Sequence, residues 1–351
     1  MKTIDADAHV IETMATWQYM KDSERRWRPI EVNAEDGDQR PGTQRMQTGS
    51  WAIDGRLRPR ERNIGDETPR EAREMTDIAR RVSHMSELDI DVQVLYPSLF
   101  LRPLTRTKEI ELALARSYNA WLIDIWKKGG GRLRWVAVPP VQSLGDPGLV
   151  RAELTHAKAN GACGIFINGF CFDRELWDPY FFPLYEIATE LSLPICVHTG
   201  NNSIVQHDFF LEDTSFNKFI QPAVSAFHTL IEKEIPKQFP KIKWSFVEAG
   251  AQWVPYVWQH LRRGLLRSRG QRMTKSFMAE NNFYVAVDPN EDVPYIMSYT
   301  GEDHLVVGTD YGHHDAISNM NALVQLANRD DLSASAKAKI NGDNARKLYD
   351  L

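Results

Sequence analysis

Eight short apolar, β-branched runs recur along the chain with amphipathic stretches between them, and this alternation narrows the possible folds more than any other feature. The runs are Thr3 to Ala6, Val92 to Tyr96, Leu133 to Val138, Cys163 to Ile167, Pro194 to His198, Lys243 to Glu248, Phe283 to Val287 and His304 to Thr309. Between them lie segments of helical period, such as Glu109 to Trp126, Pro147 to Ala159, Pro183 to Glu190, Ser225 to Lys233 and Val254 to Leu266. Strands that are apolar on both faces and alternate with helices belong to a parallel sheet buried on both sides. Eight of them predict an α/β fold, a (β/α)8 TIM barrel. An open doubly wound sheet is the competing arrangement. It would carry a Gly-rich turn after its first strand, where this chain has Asp7-Ala8-His9.

At 351 residues and 42% hydrophobic, the chain can bury one large core, and residues 1–351 read as a single barrel domain. From 21 to 77 the rhythm breaks into a segment rich in Arg, Glu, Asp and Gly with little apolar periodicity. It reads as an insertion after the first strand, placed to act as a lid or a subunit contact. Leu332 to Leu351 reads as two closing helices with Ser333 as an N-cap. A net charge of -5 and the absence of a long Lys/Arg run argue against nucleic acid as a partner. No window has the roughly 18 apolar residues of a membrane span, so a soluble, cytoplasmic protein without membrane contact is expected. The three cysteines, Cys163, Cys171 and Cys196, have neither zinc-knuckle nor disulfide spacing and are expected in the core.

In a barrel of this kind the chemistry sits where the strands end. Strand one runs into Asp7 and His9, strand five ends on His198, strand six on Glu248, and strand eight just before Asp310. Asp7 and His9, two residues apart on an extended backbone, project to the same side. Imidazole and carboxylate are the donors of Zn, Mn or Fe, so Asp7, His9, His198, Asp310 and Glu248 are the expected metal ligands. Asp310 and Glu248 are also positioned to move a proton. No nucleophile elbow, phosphate loop or Cys-x-x-Cys offers another chemistry, and no organic cofactor is expected.

The stretches Ile4-Asp-Ala-Asp-Ala-His-Val-Ile-Glu12, Asp91-Val-Gln-Val-Leu-Tyr-Pro97, Tyr118-Asn-Ala-Trp121, Asp178-Pro-Tyr180, Val197-His-Thr-Gly200, Phe246-Val-Glu-Ala-Gly250 and Gly308-Thr-Asp-Tyr311 cover nearly the whole chain. Together they resemble the amidohydrolase superfamily, in the amidohydrolase-related branch of the aminocarboxymuconate semialdehyde decarboxylase type. By that resemblance Asp7 stands where the family's first histidine usually is, and His9, His198 and Asp310 match its usual ligands. Glu248 departs from it, because a histidine that acts as acid or base commonly occupies that position. Glutamate ionises near 4.3 and histidine near 6.5, so the proton chemistry is expected to differ.

Further donors surround this set. Glu12, His313 and His314 are candidates for a second metal, and His313 also for a proton relay. Three carboxylates and two or three histidines are many for one ion, so one or two ions are expected. Arg102 and Arg106 can clamp a substrate carboxylate, and Asp288 can shape the pocket. His207 and His228 read as structural, and the pairs Phe181-Phe182 and Phe209-Phe210 as core. The leading expectation is a hydrolase or decarboxylase, a C–C lyase, acting on a small carboxylated molecule. The alternatives are a dinuclear iron or manganese/iron oxygenase, which relatives in the branch also resemble, and a catalytically silent barrel subunit. A homo-oligomer, or an assembly with a related barrel subunit, fits the resemblance.

Overall fold

The computed structural model describes residues 2–33, 49–59, 64–209 and 216–351. Eight parallel strands form one sheet in chain order, β1 (Ile4–Val10), β2 (Val92–Pro97), β3 (Leu133–Ala137), β4 (Ala162–Asn168), β5 (Ile195–His198), β6 (Trp244–Val247), β7 (Phe283–Ala286) and β8 (Leu305–Val306). All but β3 are buried along their whole length, as strands covered on both faces must be. The sheet curls until its ends meet. Ala6 N–H donates to Val307 O at 3.0 Å, Asp310 N–H to Asp7 O at 3.0 Å and His9 N–H to Tyr311 O at 2.8 Å, which joins β8 to β1. The expected (β/α)8 barrel is therefore present.

Two strands differ from expectation by more than one residue at an end. β1 continues to Val10, so Asp7 and His9 lie within the strand, held by β2 on one side and the β8 seam on the other. β8 is only two residues long, because Gly308 and Thr309 leave the ladder to approach β1. Helices α1 (Ile78–Glu87), α2 (Lys108–Lys128), α3 (Pro147–Ala159), α4 (Phe182–Leu191), α5 (Gln221–Glu232) and α6 (Val254–Arg269) pack outside the sheet. Ser333 caps the first closing helix by accepting Ala336 N–H at 3.0 Å. Cys163, Cys171 and Cys196 are all buried thiols. Among the described residues no helix is long and apolar enough to cross a membrane.

The insertion has more order than its composition suggests. Ile30–Asn33, Gly49–Ile53 and Arg56–Pro59 form an antiparallel three-stranded sheet. Its tight turn is Asp54-Gly55, both with positive φ (50° and 71°), between the paired Ile53 and Arg56. Trp51 and Ile53 face inward, and Trp51 packs edge-on against Trp17. Asp54 accepts hydroxyl hydrogen bonds from Thr105 and Thr107, which fixes the turn to the loop after β2, on the mouth side of the barrel.

Behind β1 a chain of buried polar groups crosses four elements. Arg81 of α1 donates from Nε to Gln93 Oε1 at 2.7 Å and from Nη1 to His9 O at 3.1 Å, and its guanidinium lies 3.6 Å from the Tyr311 ring centroid. Gln93 passes its Nε2–H to Asp5 Oδ2 at 2.9 Å, and Asp5 accepts both the N–H and the hydroxyl of Thr309. Arg81 is fully buried, so removing it strands two acceptors in the core. Arg81→Leu is expected to lower unfolding free energy by roughly 3 kcal/mol in urea titration. A loss under about 0.5 kcal/mol, the usual range for a surface substitution, would show that the network does not brace the barrel.

Candidate metal centre

The inward positions of β1 set the site. Asp7 and His9 alternate along the strand and are buried, while the ladder register shifts between Asp5 and Ala8 and leaves Asp5 paired with Gln93 in the network behind the strand. Asp5 serves Thr309 and Gln93, whereas Asp7 and His9 reach the mouth. Gly308 lies against Asp7, and a Cβ at that position would stand 2.5 Å from Asp7 Cβ. Only glycine lets β8 pass this close.

His9 and His198 meet at the axis. His9 Nδ1 lies 3.1 Å from Pro97 O, so it carries the proton and leaves Nε2 as a bare lone pair. His198 Nδ1 faces Thr199 O and Glu248 Oε2, both at 3.1 Å, which fixes the same tautomer. The two Nε2 atoms then confront each other at 3.1 Å. Asp7 Oδ1 is 3.4 Å from His198 Nε2 and 3.6 Å from His9 Nε2, and Asp310 Oδ1 is 3.4 Å from His9 Nε2. Asp7 Oδ1 is buried and has no hydrogen-bond partner. Asp7, His9 and His198 thus bring three electron-pair donors to one point, and Asp310 adds a fourth beside His9. A divalent first-row ion with ligands at about 2.1 Å spaces its donors about 3.0–3.4 Å apart, so the residues present fit such an ion.

Glu248 and Asp310 reach the mouth through left-handed backbone, with φ of 61° and 53°. Non-glycine residues adopt this conformation at a cost, and it turns both carboxylates inward just past β6 and β8. Burial pushes both well above the usual carboxylate range. Asp310 adds to the effect on Glu248, and Asp315 and Asp7 to that on Asp310. Burial and the neighbouring His313 and His198 drive His9 well below the usual imidazole range. For His198 burial acts downward, but the carboxylates of Glu248 and Asp7 outweigh it and raise its pKa. The acids cannot all ionise unless a cation sits among them.

His313 closes the other side. Its Nδ1 is 2.8 Å from Asp310 Oδ1 and its Nε2 is 2.8 Å from Ser98 Oγ, whose hydroxyl donates to Val10 O. Ser98 therefore accepts from His313 Nε2–H, and the short contact to Asp310 must contain a second proton. One ligand atom from each of Asp7, His9, His198 and Glu248 lies within 4.8 Å of the others, and the same holds for Glu248, Asp310, His313 and Asp315. Asp315 was not singled out from the sequence, nor were Asp5, Ser98 and Thr199.

Other expected residues lie elsewhere. Glu12 is buried but accepts the backbone N–H groups of Ser98 and Leu99, and it belongs to neither donor group. His314 is more than half exposed, 3.4 Å from Glu67, because Gly312 (φ 103°) turns His313 inward and leaves its neighbour outside. Arg106 pairs at the surface with Asp173, and His228 with His260. Phe181 is core, but Phe209 is 78% exposed, and Phe210 lies outside the described residues. Asp288 joins Asp7, Glu248 and Asp310 around a cavity of about 330 Å³.

A larger cavity of about 460 Å³ lies over β3 and β4, lined by Phe100, Arg102, Glu111, Val138, Phe166 and Asn202 among others. None of the expected metal donors lines it. Asp7, Glu248 and Asp310 line the smaller cavity instead, and Phe166, in the wall of the larger one, has its ring centroid 6.0 Å from that of His198.

The sequence matches the amidohydrolase family model over residues 4–351. The chain belongs to the amidohydrolase family. No curated protein matches it by sequence. Its barrel superposes on an amidohydrolase from Mycobacterium avium subsp. paratuberculosis with a TM-score of 0.77 and 18% identity, over 99% of this chain and 97% of that one. A 5-carboxyvanillate decarboxylase from Novosphingobium aromaticivorans, a structure holding manganese, gives a TM-score of 0.66 and 22% identity over 81% and 86%. A 4-oxalomesaconate hydratase from Rhodopseudomonas palustris gives a TM-score of 0.66 and 18% identity over 99% and 96%.

Glu111 provides a pH test away from the metal donors. Burial pushes its carboxyl up to about 8, although Oε2 accepts Gln142 N–H at 2.8 Å. An acid raised in the folded state stabilises it fully below the unfolded pKa, near 4.5, and that stability is lost as pH rises through 8. Glu111→Gln is expected to match the parent near pH 4.5 and to exceed it by a few kcal/mol above pH 8 in urea titrations. An offset that does not change with pH would place the carboxyl in water.

Proposed function

We propose that this amidohydrolase-family protein is a metal-dependent hydrolase or decarboxylase acting on a small carboxylated organic molecule. The observation that carries the reading is the meeting of His9 Nε2 and His198 Nε2 at 3.1 Å, with Asp7 Oδ1 within 3.6 Å of both, Asp310 Oδ1 3.4 Å from His9 Nε2, and Nδ1 of both imidazoles already engaged. Asp7, His9, His198 and Asp310 would hold the ion, which supplies charge to polarise a substrate oxygen or to activate water. The manganese of the carboxyvanillate decarboxylase structure makes a divalent ion of that class the first to test.

The chain's own groups manage the protons. Burial and the neighbouring Asp310 push Glu248 well above the usual carboxylate range, which suits it to carrying a proton, and it lines the same cavity as Asp7 and Asp310. It can therefore donate to a carbanion left by departing carbon dioxide, or to a leaving group in hydrolysis. Thr199 Oγ1 donates to Glu248 Oε2 at 2.7 Å, which orients the carboxyl and couples it to His198. The proton in the His313–Asp310 contact is a second reserve, and Ser98 fixes the ring that shares it. A silent subunit would have no reason to keep two strained carboxylates and an oriented histidine pair in a buried cleft.

One observation favours a second reading. Glu248, Asp310, His313 and Asp315 form a donor group that overlaps the first, as a bridged dinuclear oxygenase would require.

Elemental analysis of protein purified anaerobically without chelator is the test. The leading reading expects about one equivalent of manganese, zinc or iron per chain. That metal is lost in Asp310→Ala and kept in Glu248→Gln, whose turnover falls about 100-fold or more. Two equivalents including iron, falling towards one in Asp315→Asn, would transfer the assignment to the oxygenase. Metal-free protein would refute both.

A further inference from the structure

One carboxylate ties together two of the loops at the barrel mouth. Glu291, on the loop after β7, accepts Ala251 N–H at 2.8 Å on Oε1 and 3.0 Å on Oε2, and Gln252 N–H at 2.7 Å on Oε1, both from the loop after β6. Its Oε2 also accepts Asp288 N–H at 2.9 Å, from its own loop. That loop is anchored in turn, because Arg329 Nη1 donates to Pro289 O and to Glu291 O, both at 2.7 Å. A helix cap would serve only the turn that leads into α6. This side chain serves both loops, and Glu248 and Gly250 from one line the smaller cavity together with Asp288 and Pro289 from the other.

The clamp matters because of where Glu248 stands. Glu248 and Gly250 both have left-handed backbone, with φ of 61° and 62°. For a glutamate that conformation costs free energy, so it persists only where the surroundings hold it. Upstream, the β6 ladder fixes the chain as far as Val247, which is paired with His198. Downstream, Glu291 holds Ala251 and Gln252. Gly250 leaves room for this, since a Cβ there would stand 2.7 Å from Glu291 Oε1. Between the two anchors the Glu248 side chain reaches His198 Nδ1 at 3.1 Å and accepts the Thr199 hydroxyl at 2.7 Å.

We propose that Glu291 is a positioning residue: by clamping the loops after β6 and β7 together it holds Glu248 against His198 and Thr199, where the site needs its proton carrier. The proposal rests on the role of Glu248 given above and adds the group that keeps it in place. Glu291 belongs to none of the donor groups and does not line the cavity, so its action passes through Glu248.

The test is the ring-nitrogen NMR spectrum of protein carrying isotope-labelled histidine, recorded at one pH and at matched metal content. The parent is compared with Glu248→Ala, Glu291→Gln, Glu291→Ala and the Glu248→Ala/Glu291→Gln double variant. The His198 Nδ1 signal reads the Glu248 contact, and His9, whose Nδ1 faces Pro97 O, is the internal control. Glu291→Ala is expected to move the His198 signal in the direction that Glu248→Ala moves it, by most of that amount. Glu291→Gln, which keeps one acceptor oxygen, should move it less. In the double variant the Glu291 substitution should add nothing, as two residues acting through one contact predict. A merely structural role would displace His9 and His198 together or add its own displacement in the double variant, and either result would overturn the proposal. So would a His198 signal that stays in place in both single Glu291 variants, or in Glu248→Ala. The readout needs neither turnover nor bound metal, so protein without metal would sink the reading of the site and leave this test intact.

Discussion

Two imidazole edges that meet lone pair to lone pair govern this site. His9 spends its Nδ1 proton on Pro97 O, and His198 Nδ1 faces Thr199 O and Glu248, so neither Nε2 has a proton of its own for the other. Asp7 Oδ1 faces the same point without a partner. In water such an arrangement would be trivial. In a sealed cleft it is repulsive unless positive charge is supplied, and a divalent ion supplies it while satisfying all the donors together. A proton on His198 would relieve one contact and leave Asp7 and Asp310 competing for it.

The barrel is built to hold that confrontation in place. The seam that closes β8 onto β1 runs through the donors, since Asp310 N–H binds Asp7 O and His9 N–H binds Tyr311 O. Gly308 permits the approach, and the Arg81–Gln93–Asp5–Thr309 chain braces it from behind. Closure of the fold and assembly of the site are therefore one event. The energetic cost appears at Glu248 and Asp310, the mouth residues held in left-handed backbone.

Much of this could be read from the chain alone. A parallel strand buried on both faces announces itself as an apolar run, and a barrel puts its chemistry where such runs end, so Asp7, His9, His198, Glu248 and Asp310 stand out. Asp5 did not, because its partners Gln93 and Thr309 lie 88 and 304 residues away and a register shift in β1 separates it from Asp7 and His9. His313 and His314 have nearly the same neighbours in sequence, and only the turn at Gly312 decides which one faces Asp310. The insertion was less patterned than its fold, yet Asp54-Gly55 followed Trp51 and Ile53 as a hairpin signal that composition obscured. Phe209 shows the reverse failure, an apolar residue in sequence left exposed in space.

X-ray absorption at the metal edge of the purified protein tests the central claim most directly. The predicted spectrum has nitrogen and oxygen neighbours at about 2.0–2.2 Å and the outer-shell scattering of two imidazoles. A bound metal without imidazole scattering, or one whose imidazole signal persists unchanged in His198→Ala, would contradict a centre built on His9 and His198.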